Sequence, residues 1–173
     1  MVEIEYELTF LAKYIPEQIT NVIPKTITDF YIPEKNAIHP HLRIRAKGNS
    51  YEITKKIPIN DLDSSEQTEH TIVLTKEEYE DLTKNCRRVV TKDRYHAQIH
   101  SFPADVDVFK GELAGLVLID FEFTTKAQKD AFIAPDICLA DVTQEEFIAG
   151  GILAGKSYAD ISHKLNEFKY KKL

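Results

Sequence analysis

From Val2 to Leu11 apolar and polar residues alternate: Val2, Ile4, Tyr6, Leu8 and Phe10 fall on one side, Glu3, Glu5, Glu7 and Thr9 on the other. A period of two predicts a half-buried β-strand. Its three carboxylates then stand in a row about 6.5–7 Å apart, and they repel unless water, basic neighbours or a cation offsets them. The period returns in His41-Leu42-Arg43-Ile44-Arg45-Ala46-Lys47, with basic residues opposite the apolar ones. Gly48-Asn49-Ser50 signals a turn, and residues 51–57 read as the returning arm of a hairpin with Glu52, Thr54 and Lys56 on one face. Further strands are expected at 26–32, stopped by Pro33, at 86–90, at 95–101 across a Lys92-Asp93-Arg94 turn, at 106–109, and at 116–123, where Asp120 and Glu122 share a face. Residues 34–40 and 60–69 are polar and read as loops. Helices are expected just after Pro16, after the capping boxes that begin at Thr75 and Thr143, and over 125–132 and 158–168.

About eight antiparallel strands with three or four short helices predict a strand-dominated α+β chain, and many alternating strands of this length close into a barrel. At 173 residues, with no linker or repeat, one domain spanning 1–173 is the expectation. The unusual feature is the polar face: Glu3, Glu5 and Glu7, then Arg43, Arg45 and Lys47, then Lys56 and Arg88, then Asp120 and Glu122. On an open sheet these residues form a solvated face of cross-strand ion pairs, each contributing a fraction of a kcal/mol, the ordinary expectation for charge. In a closed barrel they line the lumen. There the carboxylates suit Mg²⁺ or Mn²⁺, the arginines and lysines suit phosphate oxygens, and the two together suit a substrate with several phosphates.

A net charge of −6 argues against general nucleic-acid or anionic-membrane binding. No run approaches the roughly 20 apolar residues of a membrane span. Cys86 and Cys138 form no closely spaced pair, which fits reduced thiols in a cytoplasmic protein. His39, His41, His96 and His100 read as solvated, and neither a Gly-rich phosphate loop nor a nucleophile signature is present.

The order and spacing of short motifs over residues 2–154 resemble the CYTH family, the triphosphate tunnel metalloenzymes. Glu5-Tyr6-Glu7-Leu8-Thr9-Phe10 is similar to the family's Glu-x-Glu-x-Lys-aromatic signature, with Thr9 in place of lysine; the register Glu3, Glu5, Glu7 ranks second. Asp29-Phe30-Tyr31-Ile32 resembles its Gln-Gly-Tyr-Leu strand, Leu42-Arg43-Ile44-Arg45 its Leu-Arg-Ile-Arg, and Tyr51-Glu52-Ile53-Thr54-Lys55-Lys56 its Leu-Thr-Ile-Lys strand, with Lys56 at the lysine. Arg87-Arg88 stands at its Thr-Arg, the stretch from Asp107 to Leu116 resembles its most recognisable segment, Asp120-Phe121-Glu122 its Glu-x-Glu metal strand, and Asp141-Val142-Thr143 its late Glu-Val-Thr.

The resemblance implies an eight-stranded antiparallel tunnel with flanking helices and the charged faces inward. It implies Glu5, Glu7, Asp120 and Glu122 as ligands of Mg²⁺ or Mn²⁺. Arg43, Arg45, Lys56 and Arg88 would bind phosphate, and Glu5, Glu7 and Lys56 would act in catalysis. The implied reaction is hydrolysis of inorganic triphosphate, thiamine triphosphate or a nucleoside triphosphate, by a monomer or homodimer. Cyclisation of ATP, as in a class IV-type adenylate cyclase, is the alternative, and the missing lysine at Thr9 adds a third, a module that binds polyphosphate without turnover. Lys47 or Lys55 could compensate for that lysine.

Overall fold

The computed structural model describes residues 3–33, 41–60 and 63–173. The alternating stretches form strands β1 (Glu3–Ala12), β2 (Lys25–Ile32), β3 (Leu42–Lys47), β4 (Ser50–Asn60), β5 (Asp63–Leu74), β6 (Val89–Ile99), β7 (Phe102–Phe109), β8 (Val117–Phe123) and β9 (Cys138–Asp141). Helices α1 (Lys76–Thr83), α2 (Lys126–Asp130), α3 (Gly150–Leu153) and α4 (Tyr158–Glu167) flank them. All described pairings are antiparallel, in the order β5-β4-β3-β2-β6-β7-β8-β1, and β1 also pairs with β5, so eight strands close into a barrel. The ninth, β9, adds to β1 at Phe10–Ala12.

Register fixes which side chains look inward, because residues directly opposite in neighbouring strands share a face. Glu7 lies opposite Glu122 and Thr9 opposite Asp120. Arg45 lies between Asp29 and Glu52, and Arg94 lies opposite Asp107. The charged rows therefore face one lumen, as the barrel reading requires. Toward one end these rows turn apolar: Leu11, Tyr31, Val90, Phe109 and Leu118 pack with Ile148, Leu153, Ile161 and Leu165 of the C-terminal segment, which closes that end. Outside the barrel, Phe10, Val106, Ile119 and Phe121 form a second core, and Phe132 packs against the rings of Phe10, Phe121 and Phe123.

The hairpin turn falls where expected, and Gly48 sits there at φ +60, a conformation that costs glycine little. The capping box at Thr75 opens α1, and a further one, Ser157 with Asp160, opens α4. Four expectations fail. Residues 63–69, read as loop, lie within β5, and their polarity is that of a strand whose inner face lines a polar lumen. Lys92-Asp93-Arg94 is no turn but the middle of one long strand, β6. Lys92 and Arg94 find carboxylates inside, while Asp93 takes Thr26 and Lys110 outside. The segment after Pro16 forms only a 3₁₀ turn, Glu17–Ile19. The Thr143 capping box does not form, because its hydroxyl is turned toward Asp141 and the Thr9 backbone. The expected loop at 34–40 lies outside the described residues.

The last residues are tied to the start of β8. The Tyr170 hydroxyl accepts from the Val117 N–H at 2.8 Å and donates to the Gly115 carbonyl at 2.9 Å. Replacing it with Phe leaves a buried backbone donor unsatisfied. Tyr170→Phe is expected to cost about 1–3 kcal/mol, read as a drop in Tm of roughly 2–12 °C on thermal unfolding; an unchanged Tm would show that the bond contributes nothing.

Candidate metal and phosphate site

Glu5 and Glu7 from β1 and Glu122 from β8 converge so that one carboxylate oxygen of each lies within 4.8 Å of the others. The cause is the strand period, which stacks Glu5 and Glu7 on one face, and the β1–β8 register, which sets Glu122 opposite Glu7. Burial, together with the negative charges of Glu7 and Glu5, holds the Glu122 carboxyl above its usual range. Three mutually repelling carboxylates at this spacing are a hard-oxygen donor set, and a divalent cation such as Mg²⁺ or Mn²⁺ fits the chemistry of that set.

Asp120, expected beside them, sits on the same face but is engaged elsewhere. Thr9 Oγ1 donates to its Oδ1 at 2.8 Å, and Arg94 Nη2 reaches its Oδ2 at 3.1 Å. Burial and the nearby charges of Glu7 and Asp107 push its carboxyl up to about 8, since Arg94 is already shared with other acids. Thr9 thus supplies one neutral hydrogen bond, and the nearest cation to Asp120 among the described contacts comes from β6.

Opposite the acids stand the basic strands. Lys56 pairs with Glu5 and lies 3.4 Å from Glu69. Burial would push its ammonium down, but Glu7 and Glu5 override that and hold it above its ordinary value. Arg43 reaches Glu69 at 3.7 Å, and its buried Nε has no hydrogen-bond partner among the described residues. Arg45 is locked: Nε and Nη2 donate to the two oxygens of Asp29 at 2.7 and 2.8 Å, both residues being buried. Burial opposes ionisation of Asp29, yet the Arg45 hydrogen bonds and charge keep its carboxyl below the usual range. Arg88 precedes β6 and donates from Nη1 to the Pro33 carbonyl at 3.1 Å. Neither suggested substitute for the lysine at position 9 comes near it: Lys55 is opposite Leu42 and His70 on the exposed face, and Lys47 is opposite Ile27 and Ser50 at the far end of β3.

Sequence reasoning missed a second charged group. Arg94 donates to Asp107 through Nε and Nη2 at 2.7 Å each and to Asp105 at 2.7 Å, while Lys92 shares Asp107. Asp105 also pairs with His96 Nδ1, so this histidine belongs to the lumen network, although its side chain is half exposed. A cavity of about 450 Å³ opens there, lined by His96, Gln98, Pro103, Asp105, Asp120 and Glu122 among others. The signal was present: Lys92-x-Arg94 and Asp105-x-Asp107 have the same two-residue spacing as the other rows.

No family profile matches the sequence, and no curated protein matches it. Solved structures do. The inorganic triphosphatase NE1496 superposes with a TM-score of 0.64 at 25% identity over 90% of this chain and 97% of that one. A second structure of NE1496 also gives 0.64, over 88% and 99%. A candidate adenylate cyclase from Bacillus halodurans gives 0.53 at 17% identity over 94% and 97%, a likeness of fold. No described helix is long and apolar enough to cross a membrane.

Proposed function

With a triphosphate tunnel domain of the CYTH type as its fold, the chain, we propose, hydrolyses a small triphosphate such as inorganic triphosphate, with Mg²⁺ or Mn²⁺ held by Glu5, Glu7 and Glu122. One observation carries this reading: the acidic triad and the cations Lys56 and Arg43 line the same lumen, with Lys56 in contact with Glu5. The cation supplies Lewis acidity toward phosphate oxygens and toward the attacking water when bound. The chain's own groups do the rest. Arg43, whose guanidinium has Glu69 at 3.7 Å, offers its charge to a phosphate oxygen, Lys56 supplies a second positive charge, and the partly buried walls keep water from these contacts, which strengthens them. Together they hold the phosphates in line for attack.

Asp29 assigns the two arginines of β3 different tasks. Arg45 already has a bidentate partner and builds the wall; Arg43, with Glu69 no nearer than 3.7 Å, is the one left for substrate. Arg43→Ala is therefore expected to raise KM by about 10–100-fold, the loss of a charge-assisted hydrogen bond, with Tm little changed. Arg45→Ala is expected to lower Tm, because it strands a buried Asp29. Equal effects of the two variants on KM and Tm would remove this distinction.

The reading is tested by phosphate release from inorganic triphosphate, thiamine triphosphate and ATP, each with Mg²⁺ or Mn²⁺, and with cyclic AMP assayed in parallel. Metal-dependent turnover of inorganic triphosphate is the expected result. Cyclic AMP from ATP would identify a cyclase instead. Tight binding without turnover would favour a binding module, for which the neutral Thr9–Asp120 contact is the specific argument.

A further inference from the structure

The barrel wall is discontinuous beside the metal triad. On its β5 side, β1 is in register from Glu3 to Tyr6, the last pair being Tyr6 with Glu66. On the same side β9 takes over only at Phe10. Glu7 lies in the interval between, so this metal-site residue has a regular neighbour only on its β8 side, where Glu122 is opposite. Two consecutive residues after β9 span the interval. Thr143 Oγ1 accepts from the Thr9 N–H at 3.0 Å, and the Val142 N–H donates to the Thr9 carbonyl at 2.9 Å. Asp141 aims that hydroxyl by accepting from it at 2.6 Å and from the Thr143 N–H at 2.9 Å. The next residue reaches the other way: Gln144 Oε1 accepts from the Ser64 N–H at 3.0 Å, and Nε2 donates to Asp63 at 3.0 Å. One side chain holds β1 and its neighbour holds the tip of the β4–β5 hairpin. From the same side of the barrel, the buried Lys129 of α2 holds that tip through Ser65 at 2.5 Å and Glu66 at 2.8 Å.

We propose that Thr143 and Gln144 act as a clasp across this seam, and that they are positioning residues for the metal site, setting Glu7 against Glu5 and Glu122. The proposal rests on the metal assignment made above. Its logic is geometric. A carboxylate triad binds a cation well only if its oxygens are already near one another, and a strand held on one edge alone lets Glu7 drift. Removing the clasp leaves every ligand in the sequence and loosens their arrangement.

The experiment measures Mn²⁺ alone, without substrate, by electron paramagnetic resonance, together with amide hydrogen exchange, on the full chain carrying Thr143→Val, Thr143→Ser or Gln144→Ala. Valine keeps the shape and loses the hydroxyl; serine keeps the hydroxyl. The expected result is an Mn²⁺ affinity at least about tenfold weaker in Thr143→Val and Gln144→Ala, the usual scale for losing a group that orients a ligand, with serine restoring it. Amides of residues 5–9 should exchange about tenfold faster while those of β6 and β7 keep their protection. Wild-type Mn²⁺ affinity in Thr143→Val, or faster exchange spread evenly over all strands, would overturn the clasp and leave the metal assignment standing. A wild-type chain that binds no Mn²⁺ would overturn the metal assignment and the positioning role together, whatever the exchange pattern.

Discussion

Glu7→Gln is expected to abolish Mn²⁺- and Mg²⁺-dependent turnover while leaving the protein as stable as before, or more so. The carboxylate lost is the one that faces Glu122 directly and also borders Glu5. Groups that merely orient a metal ligand are worth 10–100-fold in affinity, so loss of a ligand itself should cost about 100-fold or more. Without the divalent cation the three acids repel one another, with Lys56 paired to Glu5 as a partial offset, and Glu122 is held above its usual range by burial and by Glu7 and Glu5. Removing one charge relieves that repulsion, so the metal-free variant should melt no lower than wild type. The contrast is visible in one instrument. Mn²⁺ at 100 times its Kd should add about 2.7 kcal/mol to wild-type stability, and the same concentration should add almost nothing to Glu7→Gln. A variant that still gains the wild-type increment would take Glu7 out of the metal site.

The second large effect falls on stability alone. Asp107 is fully buried and joins Lys92 to Arg94. Burial opposes its ionisation, yet those two cations hold its carboxyl well below the usual range. Asp107→Asn keeps the shape, strands Lys92 and leaves Arg94 with Asp105 and Asp120 alone among the described residues, a change that costs about 3–5 kcal/mol when one partner of a buried pair is removed. For a chain of this size that is a fall in Tm of roughly 6–20 °C. The pH dependence has a definite sign. A carboxylate whose folded pKa is depressed contributes stability above its unfolded pKa, and that stability is lost as pH falls through the folded value. Wild type should therefore lose stability below about pH 4, and Asp107→Asn should show a shallower acid limb. A variant that melts within 1 °C of wild type would mean that the buried network does not hold the barrel.

Much of this was legible from two-residue alternation. It places β1, β3 and β8 and the acidic and basic rows on them, because each strand pairs an apolar outer face with a charged inner one. Alternation failed where both faces are polar. In β5, Gln67, Glu69 and Thr71 face inward with Thr68 and His70 between them, so nothing marks a strand except its partners. Lys92-Asp93-Arg94 misled for the same reason, since its charges are satisfied by residues far along the chain. The Arg45–Asp29 lock was beyond the sequence altogether. A cation opposite a carboxylate could bind substrate or its neighbour, and only the bidentate geometry decides.

The order in which the strands meet bears on how the barrel assembles. Strand β1 finds its neighbours in β5, β8 and β9, all later in the chain, and its longest pairing joins residues 6–11 to 118–123. During synthesis this strand waits with its β8-side edge open until nearly two-thirds of the chain has followed it. Such non-local closure places refolding on the millisecond-to-second scale. A chain halted near residue 110 would hold β5 but lack β8 and β9, and so would present the β8-side edge of β1 unpaired and partly apolar, the kind of surface on which chains associate with one another before they finish folding.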